Sequence, residues 1–171
     1  MINRIYFLIL FVVISFTSVA QGFSVKKGGN CFTMDIPEYL TRTFDLNEAA
    51  SLQYQNTSRS VYVIVIEDDK AQLESLGIKF VNARDFLDNF AKDFKKDFEG
   101  RKLVYLKEVT NSVNKLAQVE LYWKEEGTDF YMLITSVETP GHFYKIMCWT
   151  PLENKEKVND DLLRISRSLK D

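Results

Sequence analysis

The 171-residue sequence is poor in the side chains that many enzymes use for catalysis. It has one histidine, His142, and two cysteines, Cys31 and Cys148. A histidine base needs a nucleophile or a metal beside it, and the sequence has no Gly-x-Ser-x-Gly, His-Glu-x-x-His or Cys-x-x-Cys motif. His142 follows Pro140-Gly141 and is expected in a solvated hairpin turn. The sequence therefore predicts neither catalysis nor a bound cofactor.

The sequence also lacks basic runs, flexible linkers and internal repeats. With 22 basic and 24 acidic residues, it has no electrostatic footprint for nucleic acid, and the same balance disfavours adsorption to anionic lipid. No long apolar run follows the amino terminus, so stable membrane insertion is not expected. A chain of this length without linkers indicates one domain, residues 21–171.

The amino terminus has the layout of a secretory signal peptide, which we predict over residues 1–20. A positively charged start precedes an apolar run at residues 5–16, and small residues, Ser18 and Ala20, precede the cleavage point. The mature protein would begin at Gln21 and be periplasmic or secreted, in a bacterium. Twelve residues are fewer than the about 20 that span a bilayer; an uncleaved anchor is the alternative.

The two cysteines leave two alternatives open. In an exported protein, an even number of cysteines permits a disulfide between Cys31 and Cys148. The two can equally be small buried hydrophobes, since free cysteine is among the most buried residue types. Their spacing alone does not bring the Cα atoms within the about 7 Å that a disulfide requires.

Hydrophobic alternation and turn residues predict the order of secondary structure. The strand at 31–36 places Phe32, Met34 and Ile36 on one face and ends at Pro37. Residues 61–66 are β-branched and apolar throughout, which is typical of a strand covered on both faces. Further strands are predicted at 39–46, 51–55, 102–110, 116–125, 129–138 and 142–150. Helices are predicted at 70–76, 82–99 and 153–170.

The predicted helix 82–99 has a phenylalanine at every fourth position. The four residues are Phe86, Phe90, Phe94 and Phe98. They cover about 120° of one side, an arc that suits a helix lying on a sheet. The helix lacks the strongly basic face of a membrane-surface helix. We therefore predict that the stripe is core, with Phe90 and Phe94 near the middle of the contact, Asn82 as N-cap and Gly100 after the C-terminus.

The order of elements is several strands, a helix, a four-stranded meander and a last helix, which indicates an α+β protein. At 130–135 and 143–149, apolar residues occur on both faces of the predicted strands. In a sheet with one solvent-exposed face, apolar and polar residues would alternate more regularly. We predict a three-layer α/β/α sandwich with a helix on each side of a mostly antiparallel sheet.

Three parts of the chain resemble a known family. They are the opening strand with its proline at 32–38, the middle helix leading into the meander, and the last strand and closing helix at 144–151 and 162–169. Together they resemble the PsbP-like superfamily, which has the fold of the photosystem II extrinsic subunit and includes small exported bacterial proteins such as DcrB. The resemblance implies an α/β/α sandwich and a binding or accessory role, with no shared active site. Leu169 stands where the family usually has phenylalanine.

The densest group of acids follows the buried strand at 61–66. Glu67, Asp68 and Asp69 are weak candidates for a Ca²⁺ site, because calcium takes six to eight oxygen ligands. Alternatively, Asp69 caps the helix that follows. The spacing matches no EF-hand loop, and we expect no metal.

One aromatic residue is the best pointer to a partner surface. In the strand 116–125, Ala117, Val119, Leu121 and Trp123 are expected to face inward. Tyr122 lies on the opposite face and is predicted to be exposed, as interface aromatics often are. With His142 it marks a weak candidate surface.

These observations favour an exported, non-catalytic binding or accessory module. It would act by surface contact with an extracytoplasmic protein or small ligand. One alternative is a carrier of an apolar ligand, which needs a cavity between sheet and helix. The other is a small enzyme of unfamiliar type, in which titratable groups such as Glu67, Asp68 and His142 would be buried together in a pocket.

Overall fold

A computed structural model describes residues 22–29, 32–107, 109–110 and 114–171. The predicted signal peptide and Cys31 lie outside these residues. The strands are β1 (Phe23–Gly28), β2 (Phe32–Pro37), β3 (Thr41–Arg42), β4 (Leu52–Asn56), β5 (Val61–Asp69), β6 (Glu99–Tyr105), β7 (Val109–Thr110), β8 (Lys115–Glu125), β9 (Thr128–Glu138) and β10 (His142–Pro151). The helices are α1 (Lys70–Ser75), α2 (Ala83–Ala91) and α3 (Lys155–Arg167), the last preceded by a 3₁₀ turn at Leu152–Asn154.

Eight of the strands form one sheet, in the order β3-β4-β5-β10-β9-β8-β6, with β7 also paired to β8. β1 and β2 form a separate hairpin. Every strand pair among the described residues is antiparallel. The predicted mostly antiparallel sheet and the four-stranded meander are confirmed.

The sheet is covered on both faces, so the predicted three-layer α+β sandwich is confirmed. On one face, α3 and the β1-β2 hairpin bury Phe32 and Leu162 against sheet residues such as Ile146. On the other face, α2 buries Leu87 against residues such as Ile134. Apolar residues in both alternating sets of β9 and β10 supply these two cores, because successive side chains of a strand point to opposite faces.

The phenylalanine helix is shorter than predicted. Asn82 accepts a hydrogen bond from the backbone of Asp85 and caps α2 as expected, but the helix ends at Ala91. There Arg101 donates to the carbonyl of Ala91 and, at 3.1 Å, to that of Phe94. The Arg101 guanidinium thus bonds to carbonyls near the C-terminus of α2, which the backbone amides of another helical turn would otherwise do. Gly100 has φ 66° but lies at a register shift in β6 rather than after a helix.

The contact between α2 and the sheet is also centred differently. Its middle is Leu87, flanked by Ala83 and Ala91, all essentially buried. The two alanines let the helix backbone approach the sheet, which moves the phenylalanine rings to the side. Phe90 and Phe94 are only partly buried and stack on each other at 4.8 Å. The prediction that these two rings lie at the middle of the contact is wrong.

Two predicted strands differ in extent, and one strand was missed. The strand expected at 102–110 is divided into β6 and β7. The one expected at 39–46 shrinks to β3, because the side chain of Gln53 accepts from the amides of Leu46 and Asn47 and donates to a carbonyl. These bonds hold residues 46 and 47 in a loop, so they do not pair with a neighbouring strand. β1 is the strand that the sequence did not predict.

Candidate interaction surface

The single histidine lies among carboxylates. His142 begins β10 and pairs across the strands with Asp69 of β5. Its Nδ1 is 3.2 Å from Asp171 Oδ2, and its Nε2 is 3.5 Å from Glu67 Oε1 and 3.7 Å from Asp69 Oδ2. The His142 side chain is 18% exposed. The prediction of a solvated side chain is wrong, because β5 runs three residues further than expected and brings its acids alongside.

This cluster is held together by its own hydrogen bonds. Thr139 donates to Asp171 at 2.6 Å and also accepts from the backbone of His142. Burial by itself would raise the pKa of the Asp171 carboxyl, but hydrogen bonds from Thr139, Tyr144 and His142 outweigh it and lower the pKa. The arrangement ties the β9–β10 turn to β5 and to the residues after α3.

The three consecutive acids do not converge. Glu67 and Asp69 approach His142, whereas Asp68 points to the other face and pairs with Lys145 at 2.9 Å. Asp69 also accepts a 2.7 Å hydrogen bond from the amide of Gln72, so the predicted helix cap is confirmed. Within the part of the chain that the structure describes, no group of three or more His, Cys, Asp or Glu side chains is arranged to hold a metal ion.

Tyr122 belongs to a polar cluster under the start of α3. Its hydroxyl donates to Glu120 at 2.6 Å and accepts from Lys155 at 2.8 Å. Lys155 also contacts Glu120 at 3.1 Å, and Tyr131 donates to the same carboxylate at 3.2 Å. Tyr122 is therefore only partly exposed. The prediction that it would be the exposed aromatic is wrong, because the first residue of α3 covers it; its role at a partner surface stays a prediction.

The electrostatics of this cluster favour the ion pair. Burial would raise the pKa of Glu120, but hydrogen bonds from Tyr122 and Lys155 and the charge of Lys155 outweigh it and lower the pKa. Burial likewise opposes the charged form of Lys155, yet its contacts with Tyr122 and Glu120 raise its pKa. Both groups are thus held in their charged forms, which suits a structural pair between α3 and β8 rather than a proton donor or acceptor.

Tyr122 also lines a cleft at the end of the sheet where β6 begins. The cleft has a volume of about 310 Å³, and its other walls include Lys102, Phe130 and Leu152. A neighbouring cleft of about 520 Å³ shares Asp129 and Leu152 with it. Apolar groups and charged groups of both signs thus meet beside β6, the strand at this edge of the sheet.

Another cleft lies between the β4–β5 turn and α3. It has a volume of about 390 Å³ and is lined by Ser58, Arg59, Asn154, Lys157 and Val158. Four of these five residues have polar side chains, and two of those are basic. Such walls do not suit an apolar ligand.

The loop between α1 and α2 displays a group of aliphatic side chains, which we call the apolar loop (residues 76–81). Leu76 is 68% exposed, Ile78 41% and Val81 85%. Phe80 fixes the loop to the body of the protein, because its ring contacts those of Phe86 at 5.0 Å and Phe143 at 5.8 Å. Nothing in the sequence marks this loop, since its short apolar run has no helical or strand period.

None of the described helices is both long enough and apolar enough to pass through a membrane. The N-terminal apolar run lies outside the residues to which this finding applies.

Comparison with known proteins identifies the fold. The solution structure of cyanobacterial PsbP (CyanoP) from Synechocystis sp. PCC 6803 matches with a TM-score of 0.59 and 12% identity, covering 86% of this chain and 92% of that chain. The crystal structure of LpqN, involved in cell envelope biogenesis of Mycobacterium tuberculosis, matches with a TM-score of 0.59 and 10% identity, covering 87% and 90%. No protein-family model and no curated protein matches. The chain has a PsbP-like fold, as the sequence resemblance implied.

Proposed function

We propose that this protein is an exported binding module without catalytic activity, and that it contacts a protein partner through the apolar loop. The observation that carries the proposal is the exposure of Leu76, Ile78 and Val81 on a loop that Phe80 anchors. A group of exposed apolar side chains with a polar rim is typical of a protein interaction site. Anchoring lowers the entropy lost when the loop is bound.

The charges around the loop favour a protein over a lipid surface. Lys79, within the loop, lies 3.6 Å from Glu74. Arg84, at the start of α2, pairs with Asp88 at 2.9 Å. A loop that binds anionic lipid is usually surrounded by unpaired basic residues, whereas paired charges of both signs suit the rim of a protein interface.

Export and an envelope role have separate support. The layout of residues 1–20 is that of a secretory signal peptide. LpqN, a protein whose solved structure is similar in fold, is involved in cell envelope biogenesis. We accordingly place the partner outside the cytoplasm.

The two alternative functions have less support. A carrier would need a cavity between sheet and helix, but Leu87, Val119 and Ile134 fill that contact without measurable exposure. An enzyme would need a reactive group in a pocket, but His142 and Asp171 bond within their own cluster.

Site-specific cross-linking in the native host tests the proposed function. The variant carries Leu76→Ser and Val81→Ser, and the control carries Val25→Ser, which removes an equally exposed aliphatic side chain from β1. We expect the double variant to melt like the wild type and to lose the cross-linked partner that the wild type and the control retain. Identical cross-linked species in all three proteins would refute the proposal.

A further inference from the structure

The two ends of the main sheet differ in how much edge they expose. At one end, β3 has only two residues, and so presents few unpaired backbone groups. At the other end, β6 has seven residues, none of them buried, and β8 is its only partner strand in the described sheet. A long exposed edge is a template for another strand unless it is covered.

The hydrogen-bond pattern shows which backbone groups of β6 are available. The amide of Leu106 donates to the carbonyl of Gln118 at 3.0 Å, and residues 102 and 104 follow the same register towards β8. Positions in an antiparallel ladder alternate between bonded and outward-facing. The N–H and C=O groups of Leu103 and Tyr105 therefore point away from β8, spaced as a further strand requires.

The middle of this edge is basic. Between residues 100 and 107 there are three basic side chains and no acidic one, and Glu99 and Glu108 flank this stretch in the sequence. Arg101 is engaged by the end of α2, while Lys102 and Lys107 are exposed. The acid at the start of the strand, Glu99, has its Oε1 3.7 Å from Lys124 Nζ.

We propose that β6 binds an acidic, extended segment of a protein partner as an additional strand of the sheet. Backbone pairing to Leu103 and Tyr105 supplies the register, and Lys102 and Lys107 select acidic side chains. The cleft of about 310 Å³ beside Lys102, with Phe130 and Leu152 in its walls, receives one apolar side chain of the segment. This site is separate from the apolar loop and does not depend on its function.

Pairing between two copies of this chain fits the edge less well. A symmetric β6–β6 contact would set the basic residues 101–107 of one copy against the same residues of the other. Like charges placed opposite each other destabilise a strand pair. An acidic segment removes that repulsion and adds attraction.

Binding of synthetic peptides to the mature protein tests the proposal. The first probe is a fluorescent seven-residue peptide that alternates glutamate with valine, and binding is read by polarisation. The second has the same sequence with alternate backbone amides methylated, which keeps the charge and removes donors that a strand pair needs. The third has lysine in place of glutamate. We expect saturable binding of the first probe and at least about tenfold weaker binding of the other two.

A pair of matched variants locates the site. Lys102→Glu reverses an exposed charge on β6, and Lys27→Glu does the same on β1, the exposed strand of the hairpin. We expect Lys102→Glu to weaken binding of the first probe about tenfold and Lys27→Glu to leave it unchanged, with both variants melting like the wild type.

Several outcomes would overturn the proposal. Equal binding of the methylated peptide would mean charge attraction without strand pairing. An equal loss with Lys27→Glu would move the site to β1 or indicate diffuse attraction. Absence of saturable binding by the wild type would exclude this ligand class. Because the three peptides are compared on the wild type, a variant that fails to fold does not remove the test.

Discussion

Replacing Leu87 with alanine tests where the second core is centred. Leu87 is fully buried between α2 and the sheet, against fully buried neighbours such as Val119 and Ile134. Neighbours held in paired strands cannot collapse far into the space that the leucine leaves. We therefore expect Leu87→Ala to lower the free energy of unfolding by about 3–5 kcal/mol, towards the upper part of the range for such substitutions.

The matched substitution is Phe90→Ala, three residues further along the same helix. Phe90 is partly buried and leans on Phe94 at the side of the contact, so water can enter the space that its ring leaves. The loss is then mainly the transfer free energy of a partly buried ring, about 2 kcal/mol.

Urea denaturation of the two variants and the wild type measures both changes, provided that the m-values agree. A larger loss for Phe90→Ala than for Leu87→Ala would refute this account of the helix–sheet contact. It would instead support the prediction from sequence that the ring is at the middle.

The other predictions concern the polar cluster, the cysteines, the amino terminus and the acidic run. The pKa of Glu120 is lowered in the folded protein, so its stabilising effect is present above the unfolded pKa and is lost as the pH falls through the folded pKa. Denaturant melts of the wild type should therefore show stability declining below about pH 5. In Lys155→Met, which removes the charged partner of Glu120, this decline should be smaller. In a Cys31→Ser variant, Cys148 should react with a thiol reagent only after unfolding. Burial raises the pKa of its thiol and keeps the reagent away from the sulfur. Rapid reaction of the native protein would contradict this. Sequencing of native material should begin at Gln21, and an intact Met1 would instead indicate an uncleaved anchor. Millimolar Ca²⁺ should leave the melting temperature unchanged, because a site that binds only the folded state would raise it.

The disulfide between Cys31 and Cys148 stays one of two alternatives. Cys148 is a buried cysteine of β10, while Cys31 lies outside the described residues. Counting free thiols in the unfolded wild-type protein without reductant distinguishes the two alternatives, since a bridge leaves none and two buried cysteines leave two.

The architecture was predictable from local patterns. Alternating apolar and polar residues in β8 indicated a strand. Apolar residues on both faces of β9 and β10 indicated a sheet that is covered on both sides. Asn82 and Asp69 indicated the starts of two helices, because a capping side chain bonds to an amide two or three residues away. These signals act within a few residues, so they can be read without knowing the fold.

The positions of individual side chains depended on contacts across the fold. Arg101 ends α2 from the next strand, Lys155 covers Tyr122 from the last helix, and β5 brings Glu67 beside His142, which is far away in sequence. The sequence by itself determined most of the strands and helices and that both sheet faces are covered. Only the tertiary structure decided where α2 ends, which aromatic rings are exposed and which sheet edge is long and basic, because each depends on residues that are distant in the chain and meet only after folding.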